Sequence, residues 1–252
     1  MDKHLIQQRF ARAVDTYDAH ATAQRHIAKQ LFARLETVAP PNVGPALEVG
    51  CGTGMFTRLW LPRLRTDGVV LNDICPEVEP YLADLTGGDV RFVPGDAEHI
   101  PLPGGRGLIA ACAVVQWFDA PAGFLLRCAD LLRPGGLLAV SLFGPDNLRE
   151  VAALTGQRLD YPTMEHVCRT LAARYTVRHA GEERIRLGFD TPHDVLRHLR
   201  QTGVTGTGRT TWTRSRLADF DARYRAAYTA PDGGVGLTYH PIYIIAEKNE
   251  KE

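Results

Sequence analysis

The sequence lacks an excess of charge of either sign. Its 29 Lys and Arg are matched by 29 Asp and Glu, so neither a non-specific nucleic-acid coat nor a polybasic membrane anchor is expected. No apolar run is long enough to span a bilayer, and no secretory-type apolar stretch follows Met1. The five cysteines, Cys51, Cys75, Cys112, Cys128 and Cys168, are odd in number and contain no C-x-x-C. A disulfide framework and a cysteine zinc site are therefore not expected. Reduced, buried thiols in a cytoplasmic chain are. Histidine spacing also fails as a metal signature, because His193 and His198 stand five positions apart rather than the four that one helix face favours. No metal is expected, and repeats and low-complexity tracts are missing too.

What is present suits a single α/β domain. The 252 residues are 44% apolar and 23% charged, an ordinary globular balance. A chain of this length buries roughly 70–75% of its unfolded surface without staples. Residues 3–38 read as helix with a break near Asp15–Asp18, and Phe10, Val14 and Tyr17 share one face. The stretch "APPNVGP" at 39–45 is a stop. Strands and helices of about ten residues then alternate. "PALEVG", "GVVLND", "DVRFVPGD", "GLIAACAVV" and "LLAVSLF" read as strands. "MFTRLWLPRL", "PEVEPYLADL" and "PAGFLLRCADLL" read as helices, with "RPGG" as a turn. That alternation implies parallel βαβ units. Beyond residue 143 the pattern changes. "TMEHVCRTLAARY" is helical, "YTVRHAGEERIRLGF" is extended, helices follow near 192–202 and 212–228, and "LTYHPIYIIAEK" is the last strand.

The sharpest motif is "LEVGCGTGMF", in which a strand ends at Glu48 and Gly50, Gly52 and Gly54 open a helix. Glycines there allow a tight turn and let a ligand approach bare backbone. The dinucleotide spacing G-x-G-x-x-G fails, since the third glycine would fall on Met55 or Thr57. This disfavours a nicotinamide oxidoreductase. Asp73 ends the second strand and Asp96 follows the third. Either acid alone would pass for a helix cap or a turn residue; three in register across successive strands point to a site. "AVVQWFD" follows the fourth strand, where open α/β sheets hold ligands, so Gln116 and Trp117 join the candidates. Trp117 reads equally well as core. No Asn/Asp-Pro-Pro-aromatic signature of flipped-base methylation occurs, and no basic stripe is long enough for a duplex.

The E-x-G-x-G-x-G loop resembles the first motif of class I S-adenosylmethionine-dependent methyltransferases. The resemblance implies a cofactor site of Glu48, Gly50, Cys51, Gly52, Gly54, Asp73, Ile74, Asp96, Ala97, Gln116 and Trp117. Asp73 would hold the ribose hydroxyls, and Asp96 with Ala97 would frame the adenine. Gly107 departs from the pattern, because many members carry an acid there, and it reads as a lost capping contact. Four further segments, "DKHLIQQRFARAVDTYDAHATAQRHIA", "SLFGPDNLRE", "GVTGTGRTTWTRSRL" and "GGVGLTYHPIYIIAEK", together resemble the biotin-pathway malonyl-acyl-carrier-protein O-methyltransferases over nearly the whole chain. That resemblance implies a Rossmann-like fold with a mostly parallel seven-stranded sheet and an antiparallel last strand. It divides the single domain into a helical lid (1–38), a cofactor-binding core (45–143) and a helical insertion (190–235). It also implies methyl transfer from S-adenosylmethionine, leaving S-adenosylhomocysteine, to the carboxylate of a malonyl thioester on acyl-carrier protein or coenzyme A, by a monomer. A quinone C-methyltransferase and a non-catalytic cofactor-binding protein stay open as alternatives.

A malonyl carboxylate is ionised at pH 7, so the reaction needs alignment and exclusion of water rather than a general base. No Ser/His/Asp or paired-carboxylate arrangement is found. An arginine fork suits a carboxylate, which makes Arg149 the candidate anchor, although a surface Arg paired with a nearby acid reads almost as well. Tyr17, Tyr239 and His240 are the other catalytic candidates. Residues 195–218 hold Arg197, Arg200, Arg209, Arg214 and Arg216 with no Asp or Glu, which reads as a docking face for the acidic carrier protein or, more plainly, as a solvated helix pair.

Overall fold

The computed structural model describes residues 2–157, 159–203 and 212–250. Five strands, β1 (Ala46–Val49), β2 (Val69–Asp73), β3 (Val90–Pro94), β4 (Arg106–Cys112) and β5 (Leu132–Phe143), run parallel in the order β3-β2-β1-β4-β5. Their apolar runs are what a sheet covered on both faces requires. One face packs on Ile27, Leu31 and Leu35 of α2 (Thr22–Glu36) and on Trp60 of α3 (Thr57–Trp60). The other packs on Phe124 and Leu125 of α4 (Pro121–Leu131) and on Val167 and Leu171 of α6 (Met164–Leu171). Side chains alternate along β1, so Leu47 and Val49 join the second core while Ala46 joins the first. Glu48 points to the first face, where its carboxylate accepts from Thr57 and from the Trp60 indole at 2.7 Å.

β9 (Pro241–Lys248) inserts between β5 and β6 (Tyr175–Glu182) and is antiparallel to both, completing the expected seven-stranded sheet. "LTYHPIYIIAEK" is two strands, not one. β8 (Val235–Tyr239) leaves the main sheet to pair with β7 (Ile185–Phe189), and the chain re-enters as β9 after His240. Pro241 has no N–H to give a ladder, and the His240 N–H goes to Asn147 Oδ1 at 3.2 Å. "RPGG" lies within β5 rather than in a free turn. The helix over "MFTRLWLPRL" shrinks to α3. "PEVEPYLADL" is a 3-10 turn, Pro76–Leu82, because Pro80 cannot donate within an α-helix. The remaining helices are α5 (Arg149–Thr155), α7 (Pro192–Gln201) and α8 (Arg214–Tyr228).

The break expected at Asp15–Asp18 is absent. α1 (Lys3–His20) runs through it, and the turn comes at buried Ala21, with φ −78° and ψ 51°. The aspartates are poor helix formers by a few tenths of a kcal/mol each, but both have partners off the helix. Tyr81 donates to Asp15, and Thr53 Oγ1 donates to Asp18 at 2.7 Å. These contacts fix α1 across the core.

Gly107 is also not a lost cap. Its N–H donates to Pro45 O at 2.8 Å, and a Cβ there would lie 1.7 Å from Val43 O. The segment entering β1 passes so close that only glycine fits.

Candidate active site

A crevice opens at the carboxyl ends of β1, β2 and β4, where the strand order reverses, and α1 lies across it. Gly50, Cys51 and Gly52 form its floor. Gly50 has φ +66°, and a Cβ there would come within 2.3 Å of Val114, so turn and packing both demand glycine. Gly54 does not line the crevice. Its position, at φ +83°, is fixed by packing against Leu82, Leu85 and Arg58.

Asp73 ends β2 at the crevice wall beside Ile74. Burial pushes its carboxyl up to about 6, against the opposing hydrogen bonds from the Cys75, Gly52 and Ile74 N–H groups; the first two measure 2.9 Å each. Burial likewise raises Glu48 to about 7, with the Trp60 and Thr57 hydrogen bonds opposing. Glu48 therefore holds α3 against the glycine loop from below. Asp96 and Ala97 line the far end. Burial alone would raise Asp96, but hydrogen bonds from Lys3, the Glu98 N–H and His99 hold it below the usual carboxylate range. Lys3 Nζ lies 2.7 Å from Asp96, contacts Glu98, and lies 3.5 Å from Asp119, so the first turn of α1 is pinned over this end.

Gln116 and Trp117 follow β4 in a short 3-10 turn and line the crevice, as does Tyr17 of α1. The inner end is completed by Gln24, Phe143, Asn147, Tyr161 and Thr202. The thiols beside it are poor nucleophiles: burial raises Cys112 to about 12 and Cys51 well above its ordinary value. No group of three or more His, Cys, Asp or Glu placed to hold a metal occurs among the described residues. None of their helices is long and apolar enough to cross a membrane.

Three of the four catalytic candidates do not reach the crevice. Arg149 begins α5 with its side chain 55% exposed, and its nearest acid is Glu150 at 3.5 Å. The reason is local. Leu148 sits in the left-handed region at φ +54°, and the following turn buries Glu150, not Arg149, against Thr238 of β8. Tyr239 is fully buried behind the site, with its hydroxyl 2.9 Å from His198 Nε2. Burial lowers His198 to about 4, so this is a neutral pair. His240 braces the loop after β5. Its Nδ1 accepts the Asp146 N–H at 3.1 Å, its carbonyl accepts the Gly144 N–H, and its Nε2 faces Glu182 at 3.2 Å.

Of the five arginines, Arg197 and Arg200 are exposed on α7, Arg197 within 2.6 Å of Asp194. Arg214 and Arg216 are exposed at the start of α8. Arg209 lies outside the described residues. The end of α7 meets the crevice, since Thr202 and Gly203 line it and Gly203 packs on Phe10 of α1.

Asn147, Tyr161, Gln24 and Thr202 line the crevice without being candidates from the sequence. The rule that ligands gather at strand ends would have reached Asn147, four residues past β5. Tyr161 stands in an irregular stretch, and no local pattern singles it out.

This strand order, with a glycine turn after β1 and acids after β2 and β3 converging on one crevice, defines a class I methyltransferase. A family model described as a methyltransferase domain matches residues 47–140. The fold is shared with the N-methyltransferase NodS of Bradyrhizobium japonicum, solved with S-adenosyl-L-homocysteine. That structure matches with a TM-score of 0.51 and 15% identity, covering 92% of this chain and 98% of that one. The sequence is 40% identical to the malonyl-(acyl-carrier protein) O-methyltransferase of Bacteroides helcogenes over 99% of this chain and 100% of that one. It is 43% identical to the protein of that name from Bacteroides fragilis over 98% of this chain, spanning 50% of that relative's length. The chain belongs to the malonyl-(acyl-carrier protein) O-methyltransferase family.

Proposed function

We propose that the chain transfers the methyl group of S-adenosylmethionine to the free carboxylate of malonyl-acyl-carrier protein, giving the methyl ester that primes pimeloyl synthesis for biotin. The observation that carries this reading is a crevice rich in hydrogen-bond acceptors at the strand ends. Two acceptors in its wall, Gln24 Oε1 and Gln116 Oε1, are buried with no hydrogen-bond partner among the described residues. Such atoms cost free energy until a ligand brings donors. The ammonium, ribose hydroxyls and adenine amine of S-adenosylmethionine are donors of that kind, and Asp73 and Asp96 add two carboxylates. The residues fit the group. Asp73 would hold the ribose, and Asp96 with Ala97 the adenine. Gly50, Cys51 and Gly52 would back the amino-acid end, with Gln116 and Trp117 near the sulfonium.

Bound there, S-adenosylmethionine supplies a methyl group on a cationic sulfur, which a carboxylate oxygen takes as the carbon–sulfur bond breaks and its electron pair returns to sulfur, with no proton transferred. The protein's own work is to dry and align the site. We assign residues 1–38 as the lid over it, 45–143 as the cofactor-binding core and 190–235 as the docking insertion. The five unpaired thiols suit a reducing cytoplasm, and we take the working unit to be a monomer. Incubation with labelled S-adenosylmethionine and malonyl-carrier protein should yield a base-labile methyl ester. Label appearing only in a quinone precursor would replace this reading with its nearest rival.

Carrier-protein preference would come from the exposed arginines of α7 and α8. Arg200→Glu with Arg214→Glu should raise the KM for malonyl-carrier protein about tenfold and reduce its salt dependence, while malonyl-coenzyme A is used as before. Steady-state rates at two ionic strengths check this, and an unchanged KM removes the docking face.

A further inference from the structure

The inner end of the crevice has no positive charge to meet an anion. Among the described residues that line the crevice, Lys3 is the sole Lys or Arg, and it is committed to Asp96 and Glu98 at the opposite end. Arg149 points away. What the inner end offers is a set of neutral donors, and two of them are phenols with a hydrogen to give. Tyr161 accepts the Asn147 amide hydrogen at 3.1 Å, and its own hydroxyl hydrogen has no acceptor among the described residues. The Tyr17 hydroxyl has no protein partner among them either. Burial raises both phenols above their ordinary range, so they stay protonated donors.

Tyr161 is also held in place. Asn147 is 2% exposed, and its other amide atom, Oδ1, accepts the His240 N–H at 3.2 Å. His240 in turn fixes the Gly144–Asp146 loop from behind. One side of the Tyr161 oxygen is thus saturated by a donor that polarises its O–H, and the other is open to the crevice.

We propose that Tyr161, oriented by Asn147, is the group that reads the substrate's free carboxylate, with Tyr17 as a second donor. The inference rests on the carboxyl-methylating reading above. Neutral donors suit the chemistry better than an arginine. An anion and a cation react to give a neutral ester and a neutral thioether, so charge disappears along the reaction. A fixed cation would bind the carboxylate most strongly before reaction and lose that interaction in the transition state, which slows the step. Phenol hydroxyls align the oxygen while leaving it more nucleophilic, and they reject substrates that lack the carboxylate by leaving buried donors unpaired. The same logic explains why the chain can leave Arg149 on its surface.

The test is Tyr161→Phe, which removes one hydroxyl and keeps the ring, alongside Asn147→Asp. The aspartate retains an acceptor for the His240 N–H but takes the Tyr161 hydrogen for itself. Binding of malonyl- and acetyl-carrier protein is measured with S-adenosylhomocysteine present, together with initial rates on the malonyl substrate. The wild type should prefer malonyl to acetyl by at least about tenfold. Both variants should lose most of that preference and about tenfold or more in kcat/KM, while binding of acetyl-carrier protein and of S-adenosylhomocysteine is unchanged. A Tyr161→Phe enzyme with wild-type preference and kcat/KM overturns the assignment while leaving the functional reading in place. A wild type that esterifies no malonyl thioester overturns both.

Discussion

Asp73→Asn should bind S-adenosylmethionine at least about a hundredfold more weakly than the wild type, by calorimetry, with the far-UV spectrum unchanged. The carboxylate would accept two ribose hydroxyls, and charge-assisted hydrogen bonds of that kind contribute about 1.5–3 kcal/mol each. Asp73 Oδ2 accepts the Gly52 N–H and Oδ1 the Cys75 N–H; the amide keeps one of these bonds and turns its NH2 towards the other donor, so the unchanged far-UV spectrum is the check that the fold survives. The pH dependence gives the effect its signature. Burial sets the wild-type carboxyl at about 6, and only the ionised form accepts both hydroxyls. Affinity should therefore be flat above about pH 7 and fall towards tenfold per pH unit below 6. The asparagine variant should be weak and flat throughout. The folding contribution runs the other way. Asp73 and Glu48 both have folded pKa values above the unfolded value of about 4, so the folded chain holds protons that the unfolded chain releases. Their stabilising contribution is present at low pH and is lost as pH rises from about 4 to about 7. A cofactor affinity that does not change between pH 8 and 5 would remove Asp73 from the ribose role.

Gly107→Ala should lower the melting temperature by about 10 °C or more, although the residue touches no ligand. The new Cβ would stand 1.7 Å from Val43 O, well inside contact distance, and the obstacle is backbone that cannot rotate away. Either the segment entering β1 or the start of β4 must move, which disturbs the Ala46–Leu108 register at the centre of the sheet. Overpacking costs about 1–3 kcal/mol where side chains can yield, and more is expected here. For a domain of this size each kcal/mol lowers the melting temperature by about 2–4 °C. Aspartate, the residue common at this place in related folds, should be worse still, because it buries a charge as well. A melting curve that matches the wild type would mean that the close approach relaxes at no cost.

These two positions show how unevenly the sequence revealed the site. Asp73 was legible because strand end, spacing from the glycine loop and side-chain chemistry all act locally. Gly107 stands out as an anomaly in the sequence, but the reason for it is a backbone oxygen, Val43 O, from a segment about sixty residues earlier. The Asp15–Asp18 stretch went the same way. Propensity signals a break there, but Tyr81 and Thr53, far off in sequence, satisfy both acids and keep the helix whole.

The sequence by itself determined the doubly wound sheet, the glycine turn, the acids after β2 and β3 and the family, because period, turn chemistry and motif spacing are properties of neighbouring residues. Only the tertiary structure decided which polar groups face the substrate. Arg149 and Tyr161 are twelve residues apart and equally plausible as letters. The left-handed turn at Leu148 sends the arginine to solvent, while Asn147, braced by His240 from the far end of the chain, presents the tyrosine to the crevice. Which side of a loop a side chain takes is set by packing between distant segments, and no local pattern encodes it.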